Sequence, residues 1–421
     1  MMLIKNGRLI NPATNTDEVV DIAIKEGKIE KIGKIDENGY EKIIDAEGMI
    51  VAPGLIDVHV HFRDPGFEYK EDIMTGAASA AKGGFTTVVC MANTKPVVDN
   101  EEVLRYVQNK AENAPINVLQ AAAITKGFMG KELVDMKALK EAGAPGFTDD
   151  GLPINDTALV MKAMEMAKEL DVPLSFHEED PSLIGNPGVN AGKVSEEMGL
   201  PGASNAAEDV MVARDCMMAI KTGAKVDIQH ISSGVSVDMV RFAKSHGARV
   251  YAEASPHHFT LTEEAVREHG TFAKMNPPLR TEWDREKIIE GLKDDTIEII
   301  ATDHAPHTNE EKNVEFRNAP SGIIGLETSL ALGITSLVKP GHLSYMKLME
   351  KMSVKPAELY NLKTASIEPD MPADIVIFNP DEKWTAGDYA SKAENTPFTG
   401  MELTGKVKYT ICAGNIAYMD K

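Results

Sequence analysis

Apolar and polar residues alternate along this chain in two different textures. Near the amino end, Leu3 to Ile10, Val19 to Ile24 and Lys28 to Ile32 read as short alternating strands with turn punctuation. Asn6-Gly7 and Glu26-Gly27 are dipeptides that suit tight turns, so the pattern predicts turns at both. The same texture returns at Asp374 to Phe378 and Lys406 to Gly414. Each end is too short to bury a core alone. The two are therefore expected to combine, residues 1–52 with 366–421, as one small composite β-sandwich domain built from both termini.

Between them, over 53–365, compact apolar runs alternate with segments of helical period, the signature of βα units on a parallel sheet. Strands are predicted at Ile50 to Val60, Phe85 to Met91, Ile116 to Ala123, Ala144 to Thr148, Pro173 to His177, Lys225 to His230, Ala248 to Glu253 and Ile297 to Thr302. Helices are predicted at Glu71 to Lys82, Lys131 to Ala142, Asp156 to Leu170, Ala206 to Thr222 and Ser236 to Ser245. Eight such repeats predict an α/β fold whose body is a closed (β/α)8 TIM-like barrel. His59 and His61, Asn93, Asp149 and Asp150, His177, His230 and Asp303 all fall at the carboxyl ends of these strands, where barrels carry their active sites.

Composition narrows the function. Among 421 residues, 65 acidic against 44 basic side chains give a net charge of −21, which argues against nucleic acid and anionic membranes as partners. A small anionic substrate then needs a local positive site. Cys90, Cys216 and Cys412 are far apart, so neither a disulfide framework nor a thiolate metal site is expected, and they read as buried fillers. The chain opens without a charged, then apolar leader and holds no apolar run of about 18 residues, so a soluble cytoplasmic protein is expected.

Three segments end apolar runs in metal-ligand residues: Asp57-Val58-His59-Val60-His61-Phe62-Arg63, His177-Glu178, and Ala301-Thr302-Asp303-His304-Ala305-Pro306-His307. Strand alternation puts Asp57, His59, His61 and Arg63 on one face. His59, His61, His177, His230, Asp303 and one of Asp149 and Asp150 make six candidate ligands, more than one tetrahedral ion takes, so two ions sharing a carboxylate and a hydroxide are expected. Asp303 is also placed to move a proton between water and a leaving nitrogen. Arg63 suits a substrate carboxylate, gripped in bidentate fashion. Asn93 and Asn276, taken alone, read as turn residues. His257 and His258 read as packing, His246 and His269 as helix-end histidines, and Met211, Met217 and Met218 as helical core.

These motifs carry a resemblance over essentially the whole chain. It resembles the amidohydrolase superfamily and, within it, the class I dihydroorotases: Asp57 to Gly66 matches the family's opening motif and Ala301 to His307 its closing one. The resemblance implies a distorted (β/α)8 barrel with a small terminal β-domain, and zinc, two ions per chain, held by His59, His61, Asp150, His177, His230 and Asp303, with Asp150 as the bridge. It further implies Asp303 as general acid/base, and His61, Arg63, Asn93, Asn276, His307, Ser321 and Gly322 as substrate-binding residues. Related hydantoinases and allantoinases bridge their metals with a carboxylated lysine after the fourth strand. Here Gly143 to Gly151 holds none, and the nearest is Lys140. The family usually has phenylalanine where this chain has Ser321.

The implied reaction is the reversible closure of N-carbamoyl-L-aspartate to L-dihydroorotate plus water, a step of pyrimidine synthesis. The alternatives are a related cyclic-amide hydrolase acting on dihydropyrimidines, hydantoins or allantoin, and a non-catalytic barrel that serves as an assembly partner. A homodimer, and association with the aspartate carbamoyltransferase of the preceding step, stay open at this point.

Overall fold

The computed structural model describes residues 1–185 and 187–420. Five strands come first: β1 (Met2–Asn11), β2 (Thr16–Lys25), β3 (Lys28–Gly33), β4 (Lys42–Asp45) and β5 (Ile50–Pro53). Eight follow: β6 (Leu55–Val60), β7 (Phe85–Cys90), β8 (Asn117–Gln120), β9 (Phe147–Thr148), β10 (Leu174–Phe176), β11 (Lys225–Ile228), β12 (Arg249–Ala254) and β13 (Ile299–Ile300). The last three are β14 (Ile375–Thr385), β15 (Glu402–Cys412) and β16 (Asn415–Met419).

Strands β6 to β13 are parallel and occupy the eight predicted positions. They pair as β6-β7-β8 and as β9 to β13 in order, and two parallel bridges, Ala122 to Phe147 and Val60 to His304, close the ring. Helices at Ile73–Lys82, Glu101–Ala111, Thr157–Leu170, Asn205–Thr222, Gly234–Ser245 and Glu282–Lys293 lie between strands. Their starts are set chemically. Asp72, Asn100, Asp156, Ser204 and Thr281 each accept hydrogen bonds from the backbone N–H groups of the first turn. The helix predicted over 131–142 shrinks to Met136–Glu141, capped by Asp135.

The predicted strand Ile50 to Val60 is two strands broken at Gly54: β5 belongs to the terminal sheet and β6 to the barrel. That sheet joins both ends of the chain in the order β16-β15-β14-β5-β1-β2-β3, with β4 also on β1. Its strands enclose an apolar core of Ile4, Leu9, Ile22, Ile24, Val51, Ile375, Ile377 and Ile411.

Asn6-Gly7 is not a turn. β1 runs through it, and the register shifts between Ile4 and Gly7. Before this bulge β1 pairs with β4, and after it with β5, so the bulge is where one strand passes from one layer of the sheet to the other. A Cβ on Gly7 would stand 2.4 Å from Val51 Cγ2, which is why only glycine fits the crossing. The turn at Glu26-Gly27 is present, with both residues at positive φ of 50° and 79°.

Candidate metal centre and substrate lip

Two triads of metal-ligand side chains meet at the barrel mouth: His59, His61 and Asp150, and Asp150, His177 and His230. Within each, one ligand atom per residue lies within 4.8 Å of the others, and Asp150 belongs to both. His59 Nε2 stands 3.4 Å from Asp150 Oδ1, and His61 Nε2 stands 3.5 Å from Asp150 Oδ2. On the other side, His177 Nδ1 and His230 Nε2 are 2.9 Å apart, and His177 Nδ1 is 3.9 Å from Asp150 Oδ1. Asp303 Oδ1 closes the first triad at 3.0 Å from His61 Nε2 and 3.6 Å from His59 Nε2.

The choice between Asp149 and Asp150 is visible in their partners. Asp149 is spent on its neighbours, accepting from the Ile124 N–H, the Thr125 N–H and the Thr125 hydroxyl. Asp150 faces three imidazoles. Burial opposes its charge, yet His59, His61 and His177 hold its carboxyl well below the usual range. Burial likewise works against a charged His59, but Asp150 and Glu253 outweigh it and push that imidazole well up. A field that favours a proton on His59 also favours a metal cation there. His59 Nε2 is fully buried and has no hydrogen-bond partner, which fits a metal ligand.

The opposite faces of the rings are fixed. His59 Nδ1 lies 3.0 Å from Glu253 Oε2, and His177 Nε2 lies 3.1 Å from Glu179 Oε2. A carboxylate only accepts, so each bond puts the ring proton away from Asp150 and leaves the other nitrogen free for a metal. His61 Nδ1 meets Asn93 Oδ1 at 2.9 Å, while Asn93 Nδ2 donates to Asp150 Oδ2 at 3.0 Å. Sequence reasoning passed over Glu253 and Glu179, although Glu253 ends a predicted barrel strand and Glu179 follows His177 by two residues.

Several sequence assignments need correction. Pairing of β6 with β7 shifts between Asp57 and Val60, and Asp57 Oδ1 accepts from the His59 N–H, so strict alternation does not bring Asp57, His59, His61 and Arg63 to one face. Asp57 instead ties β6 to the chain after β13 through the Thr302 N–H. His61 and Arg63 lie past the end of β6, and Arg63 has φ of 62°. Glu178 turns away from His177 towards Asp215 and Arg214. His304 is not at the metal cluster either: its Nδ1 accepts from the Gly325 N–H, and its Nε2 faces Glu71. His257 and His258 are buried, the latter against the Pro277 carbonyl, as packing residues should be.

Arg63 is half-buried and feels the field of Asp303 and Asp150. Its Nε donates to the Pro306 carbonyl at 3.3 Å, and Nη2 lies 3.4 Å from the His307 ring. His307 Nε2 donates to the Ser321 carbonyl at 2.9 Å, and its Nδ1 accepts from Lys70 Nζ at 3.2 Å. Burial, then Arg63 and Lys70, push the His307 imidazole far down, so it is a neutral ring. Gly322 has φ of 120°, and a Cβ there would sit 2.6 Å from Ala305 Cβ, so the lip needs glycine. Asn276, 3.5 Å from His177 Nε2, lines a cavity on the far side with Gly151, Leu152, Met129 and Glu179. The arrangement joins a buried cation site to a lip bearing one guanidinium and a neutral imidazole.

Comparison with known proteins agrees with this geometry. Residues 48–236 match the family model described as dihydro-orotase-like. A dihydroorotase of Clostridioides difficile is 73% identical over 419 residues, covering 99% of this chain and 100% of the relative. One from Clostridium acetobutylicum is 56% identical, with all of both chains covered. Among solved structures, the L-hydantoinase (dihydropyrimidinase) of Arthrobacter aurescens superposes with a TM-score of 0.87 at 23% identity, over 99% of this chain and 95% of that one. The D-hydantoinase (dihydropyrimidinase) of a Thermus species gives 0.86 at 26%, over 100% and 96%. The barrel with its terminal β-sandwich is therefore a fold this chain has in common with cyclic-amide hydrolases. Sequence agreement along whole chains decides between those relatives, and by it the chain belongs to the dihydroorotase family.

Proposed function

We propose that this chain is a zinc-dependent dihydroorotase that interconverts N-carbamoyl-L-aspartate and L-dihydroorotate plus water in pyrimidine synthesis. The observation that carries the reading is Asp150, one carboxylate common to both ligand triads where the hydantoinase-like alternative requires a lysine. His59, His61 and Asp303 would hold one ion, His177 and His230 the other, with Asp150 between them. Zinc bound there supplies a nucleophile at neutral pH and polarises a carbonyl.

The remaining steps belong to the protein. Asp303, beside His59 and His61 and 7% exposed, is the carboxylate that would take a proton from water and return it to the departing ring nitrogen. Arg63 offers its free Nη donors to the carboxylate outside the ring. His307, Ser321 and Gly322 shape the same lip, and Asn93 and Asn276 would flank the ring from the segments that follow β7 and β12. Because the open form carries one more carboxylate than the ring, closure consumes one proton, and lower pH favours the ring whatever the enzyme does.

The reading extends to organisation. We take residues 53–365 as the catalytic barrel and 1–52 with 366–421 as the composite β-domain that supports it. No helix among the described residues is long and apolar enough to cross a membrane. We take the enzyme to act in the cytoplasm on a small-molecule substrate, as a homodimer or beside aspartate carbamoyltransferase. Zinc per chain and turnover of dihydroorotate, dihydrouracil, hydantoin and allantoin test the function together. About two zinc ions with preference for dihydroorotate is expected. Preference for hydantoin or dihydrouracil would replace this function with that of a neighbouring hydrolase.

A further inference from the structure

The segment carrying His307, Ser321 and Gly322 has almost no regular structure: between β13 and the helix at Ser329–Gly333 it forms one short helix, Asn309–Lys312. Its shape is held by side chains that never reach the metal-ligand cluster. Lys312 is fully buried, and its Nζ donates to the carbonyls of Lys274 (3.3 Å), Pro320 (3.0 Å) and Gly322 (3.0 Å). Beside it, buried Lys274 donates from Nζ to the carbonyls of Phe316 (2.6 Å) and Ala319 (2.7 Å). These acceptors are all backbone carbonyls, and burying two lysine amines this deeply costs free energy unless their donors order the chain that surrounds them.

From the opposite side comes Asn395, in the segment between β14 and β15. It is completely buried and uses its whole amide: Nδ2 donates to the carbonyls of Ala305 (3.1 Å) and Gly322 (3.0 Å), and Oδ1 accepts from the His307 N–H (3.0 Å). Its own carbonyl accepts from the Ile324 N–H at 3.0 Å. The Gly322 carbonyl is thus gripped from both sides, by Lys312 and by Asn395. Because a trans amide points its N–H opposite to its carbonyl, the hold on Pro320 also fixes the direction of the Ser321 N–H.

We propose that Lys312 and Asn395 are positioning residues that clamp the lip segment 305–323 into its substrate-binding shape and so set the affinity for the carboxylate outside the ring. This rests on the proposed dihydroorotase function. Neither residue touches the metal-ligand cluster, so the clamp acts on substrate binding rather than on the chemical step.

Two variants test it. Asn395→Asp keeps size and acceptor but removes both donors, and Lys312→Met keeps length but removes the Nζ donors. Each is compared with the zinc-loaded wild type by steady-state kinetics on dihydroorotate and by amide hydrogen exchange. The expected result is a KM raised about tenfold or more, kcat within about threefold, and faster exchange confined to 305–323. A fall in kcat at unchanged KM, unaltered kinetics, or unaltered exchange in both variants would overturn the clamp. If the wild type fails to turn over dihydroorotate, the proposed function falls, and hydrogen exchange still decides the clamp.

Discussion

Replacing Arg63 with methionine tests the substrate lip most directly. A guanidinium has five N–H donors; here Nε serves the Pro306 carbonyl and one Nη2 position faces the His307 ring, which leaves about three for a ligand. Two of these can meet a carboxylate side by side. Each charge-assisted contact is worth roughly 1.5–2 kcal/mol net, so their loss should remove about 3–4 kcal/mol, or two to three orders of magnitude in kcat/KM for dihydroorotate. Methionine keeps the apolar stem, and thermal unfolding with zinc content shows whether the site survives. Dihydrouracil, which lacks the carboxylate, should lose less than about tenfold, and Arg63→Lys should fall between, since an ammonium cannot reproduce the fork. Steady-state hydrolysis of both substrates supplies the comparison. An equal loss on both would refute the assignment, because the guanidinium would then be supporting the site and not reading the substrate.

Three further outcomes are expected. Asp303→Asn should lower kcat by about 10²- to 10⁴-fold, and near-normal turnover would remove Asp303 as the proton carrier. Glu253→Gln should weaken zinc binding roughly 10- to 100-fold in chelator competition, because His59 Nδ1 loses the carboxylate that fixes its proton; unchanged affinity would make Glu253 a packing residue. Burial and the adjacent Lys274 push the Lys312 amine down to about 7 from 10.5, with Glu311 pulling the other way and the neutral His307 ring nearby. Between those values the folded chain binds fewer protons than the unfolded one, so stability from this group rises with pH. Wild type should gain on Lys312→Met by up to about 1.4 kcal/mol per pH unit between roughly pH 7.5 and 9.5 in denaturant titrations, and a flat difference would refute the depressed amine.

The barrel was legible because its strands are short apolar runs that need no tertiary information, and every candidate ligand sat at the end of one. Asp150 was less so: Asp149 has the same chemistry one residue away, and only the hydrogen bonds from Ile124 and Thr125 separate the two. Arg63 reached the mouth for a reason the period could not give, since the strand had already ended. Asn6-Gly7 misled because a turn and a bulge ask for the same positive φ, and the partners of β1 lie far along the chain. Lys312 and Asn395 gave no periodic signal. Their partners are main-chain carbonyls and amides, which any sequence possesses.

Consider finally how the terminal sheet is stitched. β5 pairs through Ile50 to Pro53 with Phe378 to Ile375 of β14, so a strand made early waits for one made very late. On a ribosome the barrel can close around its histidines while that apolar edge stands bare, an invitation to wrong partners that is withdrawn only when the distant strand arrives. Slow elongation or truncation before β14 should therefore show itself as aggregation, even in chains whose ligand residues have all been synthesised.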